Sequence, residues 1–331
     1  MKRSLAITTI AGLLTAGLVG LTWVTTSHAQ TPTNETGQAL EIAPPVINLT
    51  ANPGQIVEAK IQIRDVSTSN LLVRGEVNDF TAAGEDGTPK LLIEQTETSP
   101  YSLRPWISAL PQLTLKPQQI ESLPVTIKVP TNAAPGGYFA VIRFTASAPG
   151  IDQSGVALSA SLGTLVLLRV NGDAKQQLSI ESFYTQKDSN KISLIESAPL
   201  DFVVRIKNSG NVHEQPVGQA RIKDMFGNEL ANVNINLERK NILPGSIRKF
   251  QEPLNSATIG NKILFGRYTA QLTMKYGDDS IVTSEISFWV IPYKLIIGVI
   301  TGLILLFFTI RYALRRYTER VLDRSRRSRR R

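Results

Sequence analysis

The chain has no cysteine and only two histidines among its 331 residues. Without cysteine it can form neither disulfides nor thiolate metal sites, and it cannot become a lipoprotein, which needs a cysteine at the cleavage site. His28 lies in an apolar N-terminal segment, so His213 is the only imidazole in the remainder of the chain. A Ser-His-Asp or Cys-His constellation would need His213. Its position between Asn211 and Glu214 favours a turn residue in a loop instead.

Sequence motifs for phosphate, metal and glycosidic chemistry are also lacking. There is no P-loop, and no Gly-x-Gly-x-x-Gly follows a strand. The carboxylate pairs weighed as calcium ligands or as glycosidase acids are Glu85 with Asp86, Asp278 with Asp279, Glu94 with Glu97, and Asp79 with Glu85. None has the alternating spacing of a calcium loop, and a β-sandwich without a deep cleft is a poor frame for paired catalytic carboxylates. The sequence therefore predicts a protein that is not an enzyme and that holds no metal or cofactor.

Long apolar segments occur only near the two ends. The first covers residues 5–24 and follows Lys2-Arg3, and Ser27-His28-Ala29 supplies the small residues that a signal peptidase recognises. Residues 1–29 are thus predicted to be a signal peptide cleaved before Gln30. An uncleaved N-terminal anchor is the alternative, because this segment is long for a signal peptide. Either way, the bulk of the chain is exported.

The second apolar segment, 291–310, is predicted to be a transmembrane helix. Twelve of the residues 295–310 are Leu, Ile, Val or Phe, each worth about −0.3 to −0.6 kcal/mol in membrane insertion. The arginine-rich tail 311–331 then obeys the positive-inside rule, which predicts a single-pass type I protein with a cytoplasmic tail. The residues expected at the two membrane interfaces are Trp289, Tyr293, Lys294, Arg311, Arg315 and Arg316.

The net charge of +9 comes from the two ends of the chain. Ten arginines in the tail face only Glu319 and Asp323, and Lys2-Arg3 adds to them, so residues 4–310 are close to neutral. This distribution does not indicate a nucleic-acid-binding surface, because the basic residues are not spread over a folded face. Anionic membrane lipids are the expected partner of the tail; an acidic cytoplasmic protein is the alternative.

Between the two ends, short strands alternate with turns. Apolar residues recur with a period of two in 57–63, 125–129 and 268–276, which is typical of half-buried strands. Residues 138–144 are apolar on both faces and predict a central strand. Many short strands without a convincing amphipathic helix indicate an all-β fold, and the length predicts two tandem immunoglobulin-like β-sandwiches.

A short motif that occurs twice supports the division into two domains. The pattern Gly-x-Tyr followed by a strand occurs at Tyr138 and again at Tyr268. In immunoglobulin-like sandwiches, a tyrosine near the start of the penultimate strand bonds back to the preceding corner, and both residues are predicted to be such tyrosine corners. This places the two domains at 38–172 and 173–290.

Two regions are candidates for binding. The segment 99–106 contains Tyr101, Arg104 and Trp106, which could stack on sugar rings and hold a carboxylate of a wall glycan. The alternative for Trp106 is a place in the sandwich core. A sheet edge near 217–236 could accept a partner strand, or it could simply protect itself with charged residues.

Several segments resemble a known family in order and spacing. These are IAPPVINLTANPGQIVEAKIQI, LTLKPQQIESLPVTIKVP and APGGYFAVIRF in the first half, and NSGNVHEQPVGQARIKDMFGNEL and ILPGSIRKF in the second. Together with the terminal span and basic tail, they resemble the WxL-interacting proteins of Gram-positive cell surfaces over nearly the whole chain. The resemblance implies a first domain associated with peptidoglycan and a second that binds a WxL-type surface protein.

The combined expectation is a membrane-anchored binding or scaffold protein of the cell surface. Its partners would be a cell-wall glycan or a WxL-type protein. Two other functions stay open. Tandem sandwiches also suit an envelope assembly chaperone, although a chaperone would normally be soluble. An exported ectodomain whose arginine-rich tail contacts a cytoplasmic partner suits a sensor, although a tail of 21 residues with no recognisable domain speaks against it.

Overall fold

The computed structural model describes residues 40–93, 99–147, 161–254, 259 and 264–328, with side chains up to residue 318. Strands dominate the described part of the chain, and one long helix follows them. The predicted signal peptide lies outside the described residues.

The N-terminal sandwich consists of strands β1 to β9. Their bounds are Leu40–Ala43, Val46–Ala51, Ile56–Asp65, Leu71–Ala83, Thr88–Leu92, Leu113–Leu115, Ile120–Lys128, Gly136–Ser147 and Ser161–Val170. One sheet has the order β1-β3-β7, and the other has the order β2-β9-β8-β4-β5 with β6 paired to β4. A 3-10 turn covers Arg104–Trp106.

Burial in this sandwich follows the alternation of the sequence. In β3, Ala59, Ile61 and Ile63 are buried while the residues between them are exposed. β8 pairs with both β4 and β9 and is the predicted central strand. Its two apolar faces serve different clusters: Ile142 lies in the sandwich core, and Phe139 lies in a second cluster on the outer face.

The C-terminal sandwich consists of strands β10 to β18. Their bounds are Leu178–Lys187, Asn190–Lys191, Leu194–Ile195, Leu200–Asn208, Val217–Asp224, Glu229–Ile235, Ile247–Leu254, Gly266–Tyr276 and Ser280–Val290. The sheets have the orders β11-β10-β13-β16 and β12-β18-β17-β14-β15. At its centre, Phe288 contacts both Phe202 and Tyr268, with ring centroids 5.9 and 5.8 Å apart. Two immunoglobulin-like sandwiches confirm the predicted fold class.

Only one of the two strands in the expected edge region, 217–236, lies at the edge of its sheet. β15 is the outermost strand of its sheet, but β14 lies between β15 and β17. The alternation of β14 resembles that of a half-exposed edge strand, because one of its faces is open to solvent while both of its backbone edges are paired.

The chain ends in helix α1, Tyr293–Ser328, which begins three residues after β18 ends. The most apolar 18-residue window of Tyr293–Thr318 has a mean hydropathy of 2.2 and contains no buried residue, so this segment is a candidate single membrane span. The helix continues through the arginine-rich segment to residue 328 instead of ending near 310. Arginine, leucine and alanine are good helix formers, and residues 303–328 contain neither proline nor glycine.

Candidate binding site at the joint between the sandwiches

The two sandwiches meet at a joint formed by loops and by one hairpin. The amide of Gly137 donates to the carbonyl of Asn211 at 2.8 Å, and the Asn211 side-chain amide donates to the carbonyl of Pro135 at 3.0 Å. A Cβ on Gly136 would lie 3.1 Å from Asn211, and φ at Gly136 is +150°. The two glycines of the Pro-Gly-Gly-Tyr motif therefore allow the second sandwich to approach the backbone closely.

Asn208 organises the loop that carries Asn211. It is fully buried, and its side-chain amide donates to the carbonyls of Val212 and Ile242 at 2.8 and 2.9 Å. Its side-chain oxygen accepts the amide of Gly210 at 2.9 Å. The Asn-Ser-Gly-Asn sequence is typical of a turn, and this turn is held rigidly by one satisfied asparagine.

The hairpin between β4 and β5 reaches across the joint. The Arg205 guanidinium on β13 donates to both carboxylate oxygens of Glu85, one of them at 2.7 Å. The hydrogen bond from Arg205 lowers the pKa of Glu85. Beside this pair, the amide of Lys249 donates to the Glu85 carbonyl at 2.7 Å. Glu85, weighed from the sequence as a calcium ligand and as a catalytic carboxylate, therefore holds the joint from its place in this hairpin.

We expect the Glu85→Gln variant to loosen the joint. It removes the bidentate charge pair with partly buried Arg205, a loss of about 1–2 kcal/mol or roughly tenfold in the open population. Amide hydrogen exchange at Lys249 and Gly137, whose bonds cross the joint, should accelerate accordingly. Glu76→Gln is the matched control, because Glu76 pairs with Arg143 inside the N-terminal sandwich. Equal acceleration in both variants would contradict a specific role for Glu85.

His213 lies in the joint and not in a solvent-exposed turn. Its ring packs edge-on against Phe139, with centroids 5.5 Å apart. Burial, together with the nearby charge of Arg169, lowers the pKa of His213 to about 4. The neighbouring Glu214 is buried, which raises its pKa, and one of its oxygens accepts the amide of Gly277 at 3.1 Å.

A cleft of about 530 Å³ opens beside this contact, with walls from both sandwiches. Its apolar floor includes Phe80, Leu165, Leu167 and Leu243. Its cationic residues are Arg239, Lys240 and Arg248. Each sandwich contributes part of the wall, so the cleft exists only when the joint is closed.

One asparagine fixes the loop that presents the cleft's cationic rim. Asn236 has a φ of +56°, and its side-chain amide donates to the carbonyls of Pro216 and Lys240 at 2.7 and 3.0 Å. The amide of Lys240 returns a bond to the Asn236 side chain at 2.8 Å. Arg239 and Lys240 remain exposed. Lys240 Nζ lies 2.9 Å from the carboxylate of Glu238, which also lines the cleft. The rim is therefore carried on a rigid loop, and its cations Arg239 and Lys240 outnumber its one carboxylate.

A second, smaller cleft of about 290 Å³ is lined by His213, Glu214, Arg169 and Arg239. Three buried polar atoms at these two clefts have no hydrogen-bond partner within the described part of the chain: Nδ1 of His213, Oε1 of Glu214 and Oδ1 of Asn241. Buried polar atoms are normally satisfied. Because three unsatisfied polar atoms lie at these two clefts, the joint is the best candidate site for an external polar group.

The segment 99–106 is packed into the fold more than expected for a sugar-binding surface. Trp106 lies against Tyr138 with ring centroids 4.1 Å apart, and Tyr101 packs against Phe139 at 6.1 Å. Arg104 is partly buried near the ion pair of Arg143. The alternative weighed for Trp106, a place at the core, describes its position better than an open stacking platform.

The two corner tyrosines differ. The Tyr138 hydroxyl donates to the Ala134 carbonyl at 3.1 Å, four residues upstream. At Tyr268 the direction is reversed, because the amide of Phe265 donates to the hydroxyl oxygen at 3.3 Å. Tyr268 is also buried in the core, whereas Tyr138 is partly exposed. Both hydroxyls therefore bond to backbone just before their own strand.

The residues expected at the membrane interface lie at the junction with α1 and along it. Trp289 and Tyr293 are about half exposed, and Lys294 Nζ lies 2.7 Å from Glu196 of the C-terminal sandwich. Arg311, Arg315 and Arg316 are exposed on the helix, the last over the ring of Tyr312 at 5.9 Å. Between Tyr293 and Arg311 the helix rises about 27 Å, at ~1.5 Å per residue, close to the ~30 Å hydrocarbon core.

The carboxylate pairs weighed from the sequence do not form a metal group among the described residues. Asp79 accepts the hydroxyl of Ser102 at 2.7 Å, and Asp86 accepts the backbone amide of Thr88 at 3.0 Å. Asp278 lies 3.7 Å from Arg169 across the joint. Glu94 and Glu97 lie outside the described residues.

No family model and no curated protein matches this chain. Among solved structures, it is similar to the class 5 fimbriae chaperone CfaA, with 13% identity over 77% of this chain and 100% of that chain and a TM-score of 0.38. It is also similar to the E. coli chaperone DraB, with 14% identity, coverage of 76% and 98%, and a TM-score of 0.32. The Pseudomonas aeruginosa CupB2 chaperone is similar too, with 9% identity over 76% of this chain and 100% of that chain and a TM-score of 0.34.

Proposed function

We propose that this protein is a membrane-anchored binding protein of the cell surface that holds another envelope protein at the joint between its two sandwiches. The observation that carries the proposal is the cleft itself. It joins an apolar floor to a rim with Arg239, Lys240 and Arg248, and both sandwiches build it. Clefts with apolar walls and a few convergent polar groups are typical ligand sites.

Membrane anchoring is supported by the length, composition and exposure of Tyr293–Thr318. By the positive-inside rule, the arginines that follow support a cytoplasmic tail with both sandwiches outside, in a single-pass type I arrangement. The tail then lies beside anionic lipid headgroups, which attract basic residues at about 1 kcal/mol each. The protein thus binds its partner while anchored in the membrane and does not diffuse away with it.

A polypeptide partner fits the described surface better than a glycan. Glycan binding would need aromatic faces open to solvent, but Trp106 packs on Tyr138 and Tyr101 packs on Phe139. The cleft instead offers apolar contacts and cationic groups, which suit side chains and carboxylates of a protein segment. In view of the family resemblance, we propose a secreted WxL-type surface protein as the partner.

The test is a binding titration with the full chain in nanodiscs. The probes are a purified WxL-type surface protein from the same genome and, in a separate arm, isolated wall glycan. The double variant Arg239→Glu and Lys240→Glu should weaken binding of the surface protein by roughly tenfold or more, since a rim of opposite charge repels the carboxylates that the cationic rim is proposed to hold. Lys128→Glu, an exposed change on β7, is the control.

Each outcome of this titration is decisive. Weakening confined to the rim variant supports the cleft as the site. Binding of the surface protein that is unchanged in the rim variant would refute the cleft, and binding of wall glycan alone would refute the protein partner.

A further inference from the structure

The end of the C-terminal sandwich next to α1 carries a second feature, an apolar patch. β12 runs parallel to β18, with Ile195 beside Val290. The amide of Ile291 donates to the Ile195 carbonyl at 2.7 Å. Only Ile291 and Pro292 separate β18 from the helix. The start of the helix is therefore tied to this end of the sandwich and cannot move far from it.

Strand register brings two distant segments to the same end. Gly266, the first residue of β17, pairs with Val290, the last residue of β18. Asp224, the last residue of β14, pairs with Tyr268. The turn between β14 and β15 and the residue Phe265 must therefore lie beside the start of the helix.

This end exposes several large apolar side chains. They are Leu194 (62% exposed), Met225 (49%), Phe226 (81%), Phe265 (61%) and Trp289 (49%). Met225 joins the turn to β17, because a Cβ on Gly266 would lie 1.8 Å from its terminal methyl group. Leu194 and Trp289 are direct cross-strand partners. The patch is thus shared by β12, β18, the residue before β17 and the turn after β14.

Basic side chains accompany this patch. Arg267 is exposed and is the cross-strand partner of Trp289. Lys223 lies one residue before the end of β14. An apolar surface with basic residues at its margin suits the boundary between acyl chains and phosphate headgroups.

The geometry points to a membrane-contact surface: Leu194, Met225, Phe226, Phe265 and Trp289 rest in the outer interface of the bilayer that α1 crosses. Exposed apolar patches of this kind are interaction surfaces. The occupant follows from the connection, since a two-residue link to a membrane helix holds this end at the height of the headgroups. Trp and other aromatic residues favour that zone. The C-terminal sandwich therefore stands upright on the membrane, with the joint at its far end.

This inference rests on the proposed membrane anchoring, and one experiment separates the two. The chain has no native cysteine, so single cysteines can be labelled with a fluorophore in the full protein. The sites are Phe226→Cys on the patch, Leu237→Cys at the far end, where it is 77% exposed, and Phe307→Cys in the middle of α1. The protein is placed in phosphatidylcholine–phosphatidylglycerol nanodiscs, and quenching by aqueous iodide is compared with quenching by nitroxide-labelled lipid.

We expect the label at 226 to be quenched severalfold less by iodide than the label at 237, and severalfold more by shallow nitroxide lipid. Phe265→Cys should behave like Phe226→Cys, and it replaces that variant if the first one misfolds. If the label at 307 is lipid-quenched while that at 226 is iodide-quenched, the surface is refuted and anchoring stands. An iodide-accessible label at 307 refutes both. A label at 226 that neither agent quenches indicates a protein contact, such as a second copy, and also refutes the surface.

Discussion

Replacement of Phe288 by alanine is expected to cost the C-terminal sandwich about 3–5 kcal/mol of unfolding free energy. Phe288 is 1% exposed and lies between Phe202 and Tyr268, with ring centroids 5.9 and 5.8 Å away. These partners come from β13 and β17, one in each sheet. Removal of the ring leaves a cavity between the two sheets that neither can close without moving its backbone, so the loss includes both transfer and cavity terms.

The measurement is urea-dependent hydrogen exchange of the full chain in nanodiscs, read separately for peptides from each sandwich. This separation is needed because a two-domain protein does not unfold in a single two-state step. Leu237→Ala is the matched control, because Leu237 is 77% exposed at the end of the same sandwich away from α1 and its truncation should change stability by less than about 0.5 kcal/mol. A comparable, small loss in both variants would mean that the sheets are not held together by this aromatic contact.

Acidification from pH 7.5 to pH 5 is expected to open the joint between the sandwiches through His213. Burial against Phe139, and then the charge of Arg169, lower the pKa of this imidazole to about 4 in the closed joint. In an open joint its pKa returns to the ordinary value near 6.5. Because the depressed pKa belongs to the closed state, stabilisation is complete above pH 6.5 and declines as the pH falls towards 4. At pH 5 the closed joint is weakened by about 2 kcal/mol.

Two nearby carboxylates, Glu214 and Glu85, determine the pH range in which the effect of His213 can be measured. Burial raises the pKa of Glu214, so its protonation favours the closed joint as the pH falls and partly offsets the effect of His213. The bond from Arg205 lowers the pKa of Glu85, so the contribution of Glu85 is lost only at pH values below the ordinary range of a carboxylate. Measurements at pH 5 and above therefore exclude Glu85, and comparison with the His213→Gln variant separates the effect of His213 from that of Glu214.

The readout is the protection factor of the Gly137 amide, which bonds across the joint, corrected for the intrinsic pH dependence of exchange. In the wild type it should fall roughly thirtyfold between pH 7.5 and pH 5, the equivalent of about 2 kcal/mol. His213→Gln should abolish the fall, because the amide does not titrate. An identical pH profile in the variant would show that His213 does not control the joint.

The strands of this protein were predictable because their signal is local. In β3 and β17, apolar residues alternate with polar ones, and a period of two determines which face is buried without any knowledge of the partner strand. The double apolar face of β8 predicted a central strand for the same reason. The two sandwiches and the candidate membrane helix follow from such patterns and from length.

Other assignments depended on pairing partners that no local pattern contains. The alternation of β14 suggested a sheet edge, but β17 covers its second backbone edge. Trp106 suited either the sandwich core or a sugar, and the position of Tyr138 shows that its face is already occupied. Aromatic and arginine side chains serve cores, joints and ligands equally well, so their type alone does not settle their role.

By itself, the sequence determined the local elements of this protein: short amphipathic strands, two corner tyrosines, an apolar helix and a basic tail. Only the tertiary structure decided where surfaces meet. It placed partly buried His213 between the sandwiches, joined Glu85 to Arg205 across 120 residues of sequence, and gathered Phe226, Phe265 and Trp289 at one end. Such contacts depend on the register and packing of distant segments, which are fixed by the whole fold and not by the residues next to each site.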